Sequence, residues 1–223
     1  MLLKRHPSLI CTFLLLLGLG VIQQARCDTA SDLVAKTKKA YDALQSYSCH
    51  VDAKTTSGNG SVSKADADIK FVRPGKFISS GTSMFATPYA FVVNGSTVNV
   101  TANGSSSPVK DADSGLAEVT GISGQAATRV GALLLHTQWG DPFPKGIPFS
   151  NTVTTQNVNG HPCYMLVSTG AIHVAYWIDK TTYLLAQISD RMEMGNMGTF
   201  RMLQTVTASK INPPIPDSAF AGQ

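Results

Sequence analysis

Charge is what this sequence has least of. Only 14% of its 223 residues are Asp, Glu, Lys or Arg, against roughly 25% in an ordinary soluble domain. Of the 18 basic residues, Lys4, Arg5 and Arg26 fall in the first 27 positions; 15 then remain against 14 acidic ones, a net charge of +1. No stripe of Lys and Arg is left to follow a phosphate backbone, which excludes a nucleic-acid binder. Long apolar runs are equally scarce. Beyond residue 27 none approaches the roughly 20 residues that a helix needs to cross a bilayer. The familiar catalytic signatures are missing as well: no Gly-x-Ser-x-Gly elbow, no His-Glu-x-x-His, no Gly-rich phosphate loop with a Lys, and no Cys-x-x-Cys. His50, His136, His161 and His173 show no triad spacing. The expectation is a non-enzymatic protein that calls for no cofactor. What the chain does have is apolar content, 43% of residues, enough to build a core and too much for a disordered chain.

The N-terminus carries the plainest signal. Lys4, Arg5 and His6 precede an apolar stretch over 9–22, and 23–27 form a short polar exit. Ala25 and Cys27 stand at the −3 and −1 positions of a small-x-small cleavage site before Asp28. Residues 1–27 are therefore expected to be a signal peptide, 28–223 one domain, and the destination periplasmic or secreted. Lipid attachment at Cys27 is the competing reading, and Arg26 directly before it counts against that. Export leaves Cys49 and Cys163 in an oxidising compartment, where two thiols are expected to pair. Such a disulfide would close a loop of about 114 residues and contribute roughly 4–5 kcal/mol in the chain-entropy model. Two separately buried thiols are the alternative. A zinc site from Cys49, His50, His161 and Cys163 is opposed by strand geometry, because neighbours on a strand face opposite sides.

Along the chain the hydrophobic period changes several times. Leu33, Ala40, Tyr41 and Leu44 form one helical stripe over 29–45, with Ser31 or Asp32 able to cap it. The period then drops to two. Residues 47–56 and 62–72 read as long strands around the Gly58-Asn59-Gly60 turn, and 77–82, 89–93 and 97–101 as shorter ones. Residues 103–108 are rich in Gly and Ser and read as a loop. Helical spacing returns over 114–119 and 124–136. A loop over 137–149 follows, with Trp139, Phe143 and Phe149 set among Pro142, Pro144 and Pro148; long aromatic loops of this kind serve as lids or as surface plugs. Strands resume at 152–157, 163–168, 172–178, 183–190 and 199–209. A helix, a meander, a helical insertion and a second meander make an α+β architecture.

Two carboxylate pairs, Asp66 with Asp68 and Asp111 with Asp113, have the spacing for acid–base work, but a strand's polar face and a helix start are ordinary places for them. Met192, Met194 and Met197, followed by Met202, form a run of soft thioether donors suited to Cu(I) in an exported protein. Methionine also fills irregular apolar gaps, so both readings stand.

The segment from Ile69 through Arg73-Pro74-Gly75 to Phe77, the strand at 89–93 and the Asn94-Gly95 turn resemble the LolA-like superfamily, whose name comes from the outer-membrane lipoprotein carrier. Asn159-Gly160-His161-Pro162-Cys163-Tyr164-Met165-Leu166, Tyr176-Trp177-Ile178-Asp179 and Ile215-Pro216-Asp217-Ser218-Ala219-Phe220 look like segments of an uncharacterised exported bacterial family within it. The resemblance implies a strongly curved antiparallel half-barrel, with an N-terminal helix and a central helical insertion covering an apolar cavity. It also implies a lipid or acyl-chain ligand, with Arg73 holding the closed cover. The residues expected to contact that ligand are Phe71, Arg73, Phe77, Trp139, Phe143, Phe149 and Trp177. The expected partner is a lipid or a lipidated protein, handled by a monomer; copper binding through the methionines, or a sensor role with an envelope protein, are the alternatives.

Overall fold

The computed structural model describes residues 28–170, 173–193 and 195–221. The leader expected over 1–27 lies outside the described residues. Helix α1 (Ala30–Asp42) opens on a capping box. Thr29 is the cap: its hydroxyl accepts from the Asp32 N–H at 3.1 Å, and Asp32 accepts from the Thr29 N–H at 3.0 Å. Asp32 thus occupies the third helical position of the box. Ala30, Leu33, Thr37 and Tyr41 repeat at helical spacing and form the buried face.

Two meanders follow. The first comprises β1 (Ser46–Thr56), β2 (Val62–Val72), β3 (Lys76–Thr82), β4 (Pro88–Asn94), β5 (Thr97–Ala102) and β6 (Ser105–Pro108). The insertion holds α2 (Ala112–Ile122) and α3 (Thr128–Leu135). The second meander is β7 (Thr154–Val158), β8 (His161–Val167), β9 (His173–Asp179), β10 (Leu185–Glu193) and β11 (Thr199–Ile211). β1 pairs antiparallel with β11, so both meanders belong to one sheet of 11 strands in the order β6-β5-β4-β3-β2-β1-β11-β10-β9-β8-β7. The sheet is curved and unclosed, an α+β half-barrel.

Strand alternation decides what faces the concave side. Tyr47, Cys49, Val51 and Ala53 of β1 lie opposite Phe71, Ile69, Ala67 and Ala65 of β2, and all eight are buried. Their neighbours Lys54, Lys64, Asp66 and Asp68 point the other way. The same face continues through Val206 and Gln204 of β11, Ile188 of β10 and Tyr176 of β9. Irregularities in the ladder bend it: the register shifts between Ser48 and His50 opposite β11, where Ala208 has φ 49°, and between Leu185 and Gln187 on β10. Bulges of this kind sharpen local twist and curvature.

The convex side has a small core of its own, where Phe220 from the short C-terminal helical turn packs on Ile78 and Val92.

Two sequence-based expectations need correction. Residues 105–108 pair with β5 as an edge strand; Asn103 (φ 53°) and Gly104 (φ 77°) make the two-residue hairpin turn that needs positive φ at both positions. Asn-Gly chemistry outweighs a serine-rich composition there. The expected Cys49–Cys163 disulfide is also absent, and both thiols are free and buried. Cys49 sits on β1 and Cys163 on β8, with β11, β10 and β9 between them. Four strand spacings amount to about 19 Å along the sheet, and a disulfide tolerates no more than about 7 Å between Cα atoms. Alternation adds a second obstacle: Cys49 shares the concave face with Val51, and Cys163 shares the convex face with its ladder partner Asp179.

Burial pushes the Cys49 thiol up to about 12 and also raises that of Cys163, so neither forms the reactive thiolate readily. In folded protein both should resist iodoacetamide at mildly alkaline pH, and both should react once urea is added. A linked Cys49–Cys163 peptide in a non-reducing digest would contradict this arrangement.

Candidate functional site

The concave face has three covers: α1 over its middle, where Tyr41 packs on Tyr47 with ring centres 6.1 Å apart and its hydroxyl accepts from the Leu185 N–H at 3.4 Å, and two pieces of the insertion. Over the first meander lie α2 and α3, and glycine lets them come close. Gly115 of α2 packs directly on the Phe91 ring, where any Cβ would collide. A Cβ on Gly131 of α3 would stand 3.1 Å from Leu116 and 3.2 Å from Phe77. Over the second meander the cover is the proline-rich loop. Phe143 packs on Tyr176 with ring centres 4.9 Å apart, Phe149 reaches the same tyrosine at 6.0 Å, and the Tyr176 hydroxyl donates to the carbonyl of Pro142. Burial holds the Tyr176 phenol above its ordinary range, so it stays a neutral donor.

The seven residues expected to contact a ligand are split by this arrangement. Phe71, Phe77 and Phe143 are buried in the interior, with Phe149 partly buried against it. Trp139 is 48% exposed on the roof; its indole N–H donates to the Thr120 hydroxyl at 3.0 Å. Trp177 lies on the convex face beside Met165 and donates to Gln156 at 2.9 Å. Arg73 stands at the rim and is held by the N-terminal helix rather than by the insertion. Its Nε donates to the carbonyl of Leu44 at 2.8 Å, and its Nη2 to that of Tyr41 at 3.3 Å. These carbonyls belong to the last turn of α1 and the residues just beyond it, where a cation also meets the negative end of the helix dipole.

The other candidates have structural partners. Asp66 accepts from the Thr82 N–H, Asp68 from His50, Asp111 caps α2 through the Ser114 N–H, and Asp113 accepts from the Trp139 N–H. Among the described residues no group of three or more His, Cys, Asp and Glu is placed to hold a metal ion. Met192 is 58% exposed on β10; Met194 lies outside the described residues.

Two features escaped the sequence reading. The first is a cavity of about 700 Å³ at one end of the second meander, between the β7–β8 turn, the β9–β10 turn and the end of β11. Leu184, Leu185 and Val206 line it and also belong to the main core, while Ile211, Ala186 and Ala208 extend its apolar wall. Thr181, Thr182, Thr207, Ser209 and His161 give it a polar rim. The second is an ion pair between Arg129 of α3 and Asp190 of β10, at 3.4 Å, with side-chain exposures of 20% and 16%. A carboxylate two residues after Ile188 on the same side of β10, and an arginine in the apolar helix Thr-Arg-Val-Gly-Ala-Leu-Leu-Leu, were the signals available for it.

An open, strongly bent antiparallel sheet whose concave face is covered by helices and a loop defines the fold class, an α+β half-barrel. No family model matches the sequence, and no curated protein does. Among solved structures, the chain is similar to a LolA superfamily protein from Nitrosomonas europaea, at 11% identity over 88% of this chain and 99% of that one, with a TM-score of 0.40. It is also similar to the lipoprotein LppX of Mycobacterium tuberculosis (16% identity, 82% and 95% of the two chains, TM-score 0.43) and to LprF from Mycobacterium bovis (15%, 83% and 94%, 0.45).

Replacing Arg73 by Met removes two charge-assisted bonds to backbone carbonyls while keeping most of the side-chain volume. Urea unfolding should show a loss of about 1.5–3 kcal/mol, with fraying of the last turn of α1 in hydrogen exchange. An unchanged midpoint would mean that Arg73 contributes no more than an ordinary surface arginine.

Proposed function

We propose that this is an exported, non-enzymatic binding protein that shelters the apolar chain of a lipid or lipidated partner between the concave sheet and its covers. The observation that carries the reading is the 700 Å³ cavity at the end of the second meander. Its walls at Leu184, Leu185 and Val206 belong to the main apolar core, so an apolar chain lodged there would lie against core side chains. Ligand sites of this kind are concave, mostly apolar and edged by a few polar groups. The insertion covers the face in two separate pieces, a helical pair and a loop, so one of them could lift without unfolding the sheet. The short LolA-like motifs around Arg73 support the same class of ligand.

Delipidated protein should take up a fluorescent fatty acid saturably at tens of micromolar or below. Ile211→Glu places a carboxylate on the cavity wall at a position already 48% exposed, so the fold should survive. Affinity should fall by roughly tenfold, since a charge facing an apolar chain must be desolvated. No saturable uptake by the unmodified protein would end the proposal.

A further inference from the structure

The Arg129–Asp190 pair is poorly made for a structural ion pair. A guanidinium has five donors in a rigid fork that matches a carboxylate through two parallel bonds. Here a single contact is made, from Nη2 to Oδ2 at 3.4 Å. Arg129 Nε and Asp190 Oδ1 are both sealed from solvent without a hydrogen-bond partner among the described residues. Buried groups are left unpaired rarely, and an unmade bond costs more than a made one returns. Apolar side chains of similar volume would usually stabilise such a spot at least as well. Stability therefore does not explain why these two charges sit here.

Their position does suggest a use. Asp190 follows Leu185 and Ile188 on the inward side of β10. Five residues of strand span about 17 Å, which separates the cavity wall at Leu185 from Arg129 at the other end. The pair is not sealed as a whole, since each side chain keeps a sliver of exposure. The surrounding charges leave the arginine available: Asp141, which also acts on Tyr176, is already paired with Lys38 at 3.0 Å.

We infer that Arg129 is the headgroup site for a fatty-acid carboxylate, and that Asp190 occupies it as an internal substitute when no ligand is bound. The inference rests on the binding function proposed above and names its ligand class. The incoming carboxylate takes Nε and Nη2 of Arg129 together, a bidentate contact that Asp190 does not make. Its chain then runs along β10 towards Leu185, displacing side chains that pack on the buried Ile188 when no ligand is bound. Asp190 gives up its one contact. Burial already holds its carboxyl above the usual carboxylate range against the opposing pull of Arg129, so it can accept a proton from solvent as it is displaced, and charge is conserved in the exchange.

The test compares dodecanoate with dodecanol, which share a chain and differ in the head, by displacement of a bound dye. Unmodified protein should prefer the acid by roughly tenfold, as expected for a charge-assisted bidentate contact. The neutral pair Arg129→Gln with Asp190→Asn keeps the shape of the site and should bring the acid-to-alcohol ratio close to one. Asp190→Asn alone should tighten dodecanoate several-fold, because the competitor is gone. If both compounds bind and the ratio is the same in the unmodified and doubly substituted proteins, Arg129 does not read the headgroup. If neither binds the unmodified protein, the sheltering function fails, and this assignment with it.

Discussion

The ladder between β1 and β11 is the interaction on which the rest depends. It joins the strand after the first helix to the last strand of the chain, across more than 140 residues of sequence. The seam is reinforced at its end by one side chain. The Asn212 amide oxygen accepts from the N–H groups of Gln45 and Ser46 at 2.9 and 3.2 Å, the Asn212 N–H donates to the Ser46 carbonyl, and the Ser46 hydroxyl donates to Pro213. Without that seam there would be two small meanders, each with one apolar face and nothing opposite it. Three or more strands need a packed face to be stable, and here each meander supplies part of the other's surroundings.

Once the seam exists, chain connectivity determines where the covers go. The sheet ends at β6 and β7, and these two edge strands are consecutive in sequence, separated by residues 109–153. A connection that leaves one edge of a bent sheet and returns to the other must cross its open side. The helices and the aromatic loop are therefore the bridge over the hollow. Its two parts follow the chemistry of the faces beneath them. α2 and α3 bring small residues against the large rings of Phe77 and Phe91, whereas the loop brings Phe143 and Phe149 down to Tyr176. Closure into a complete barrel would have removed the edges but also the opening.

Most of this was legible in the sequence at the level of elements. Alternation from Ala65 to Phe71 defined β2 and its inward side, and the stripe through Leu33 and Tyr41 defined α1. Both are local signals. The seam was not legible, because nothing local to Tyr47 or Ile211 indicates that they will be ladder partners. The same reason defeated the disulfide: pairing Cys49 with Cys163 assumed proximity that only strand order can supply. For the candidate site the outcome was mixed. Phe71, Phe77 and Phe143, assigned to ligand contact, lie in the interior, whereas Trp177 was assigned without its parity, which places it with Met165 on the convex face. Arg129 and Asp190 lie 61 positions apart, and neither is unusual until the fold sets them together.

A low-charge chain makes that meeting informative. Ion pairs elsewhere lie at the surface or bridge partly exposed groups, such as Lys76 with Asp217 and Lys38 with Asp141, where they contribute little and cost little. The pair beneath α3 differs because it brings two charges into an interior whose other buried side chains are uncharged. An apolar hollow accepts many chains but distinguishes them poorly, since each methylene is worth under about 1 kcal/mol. Selectivity has to come from a few polar groups at a defined depth. In this fold such groups include the hydroxyl rim of the cavity near Ser209 and the charged pair near the other end of β10. Under the proposed function, the distance between them, as well as the volume of the cavity, would set the length of chain that fits with both ends satisfied.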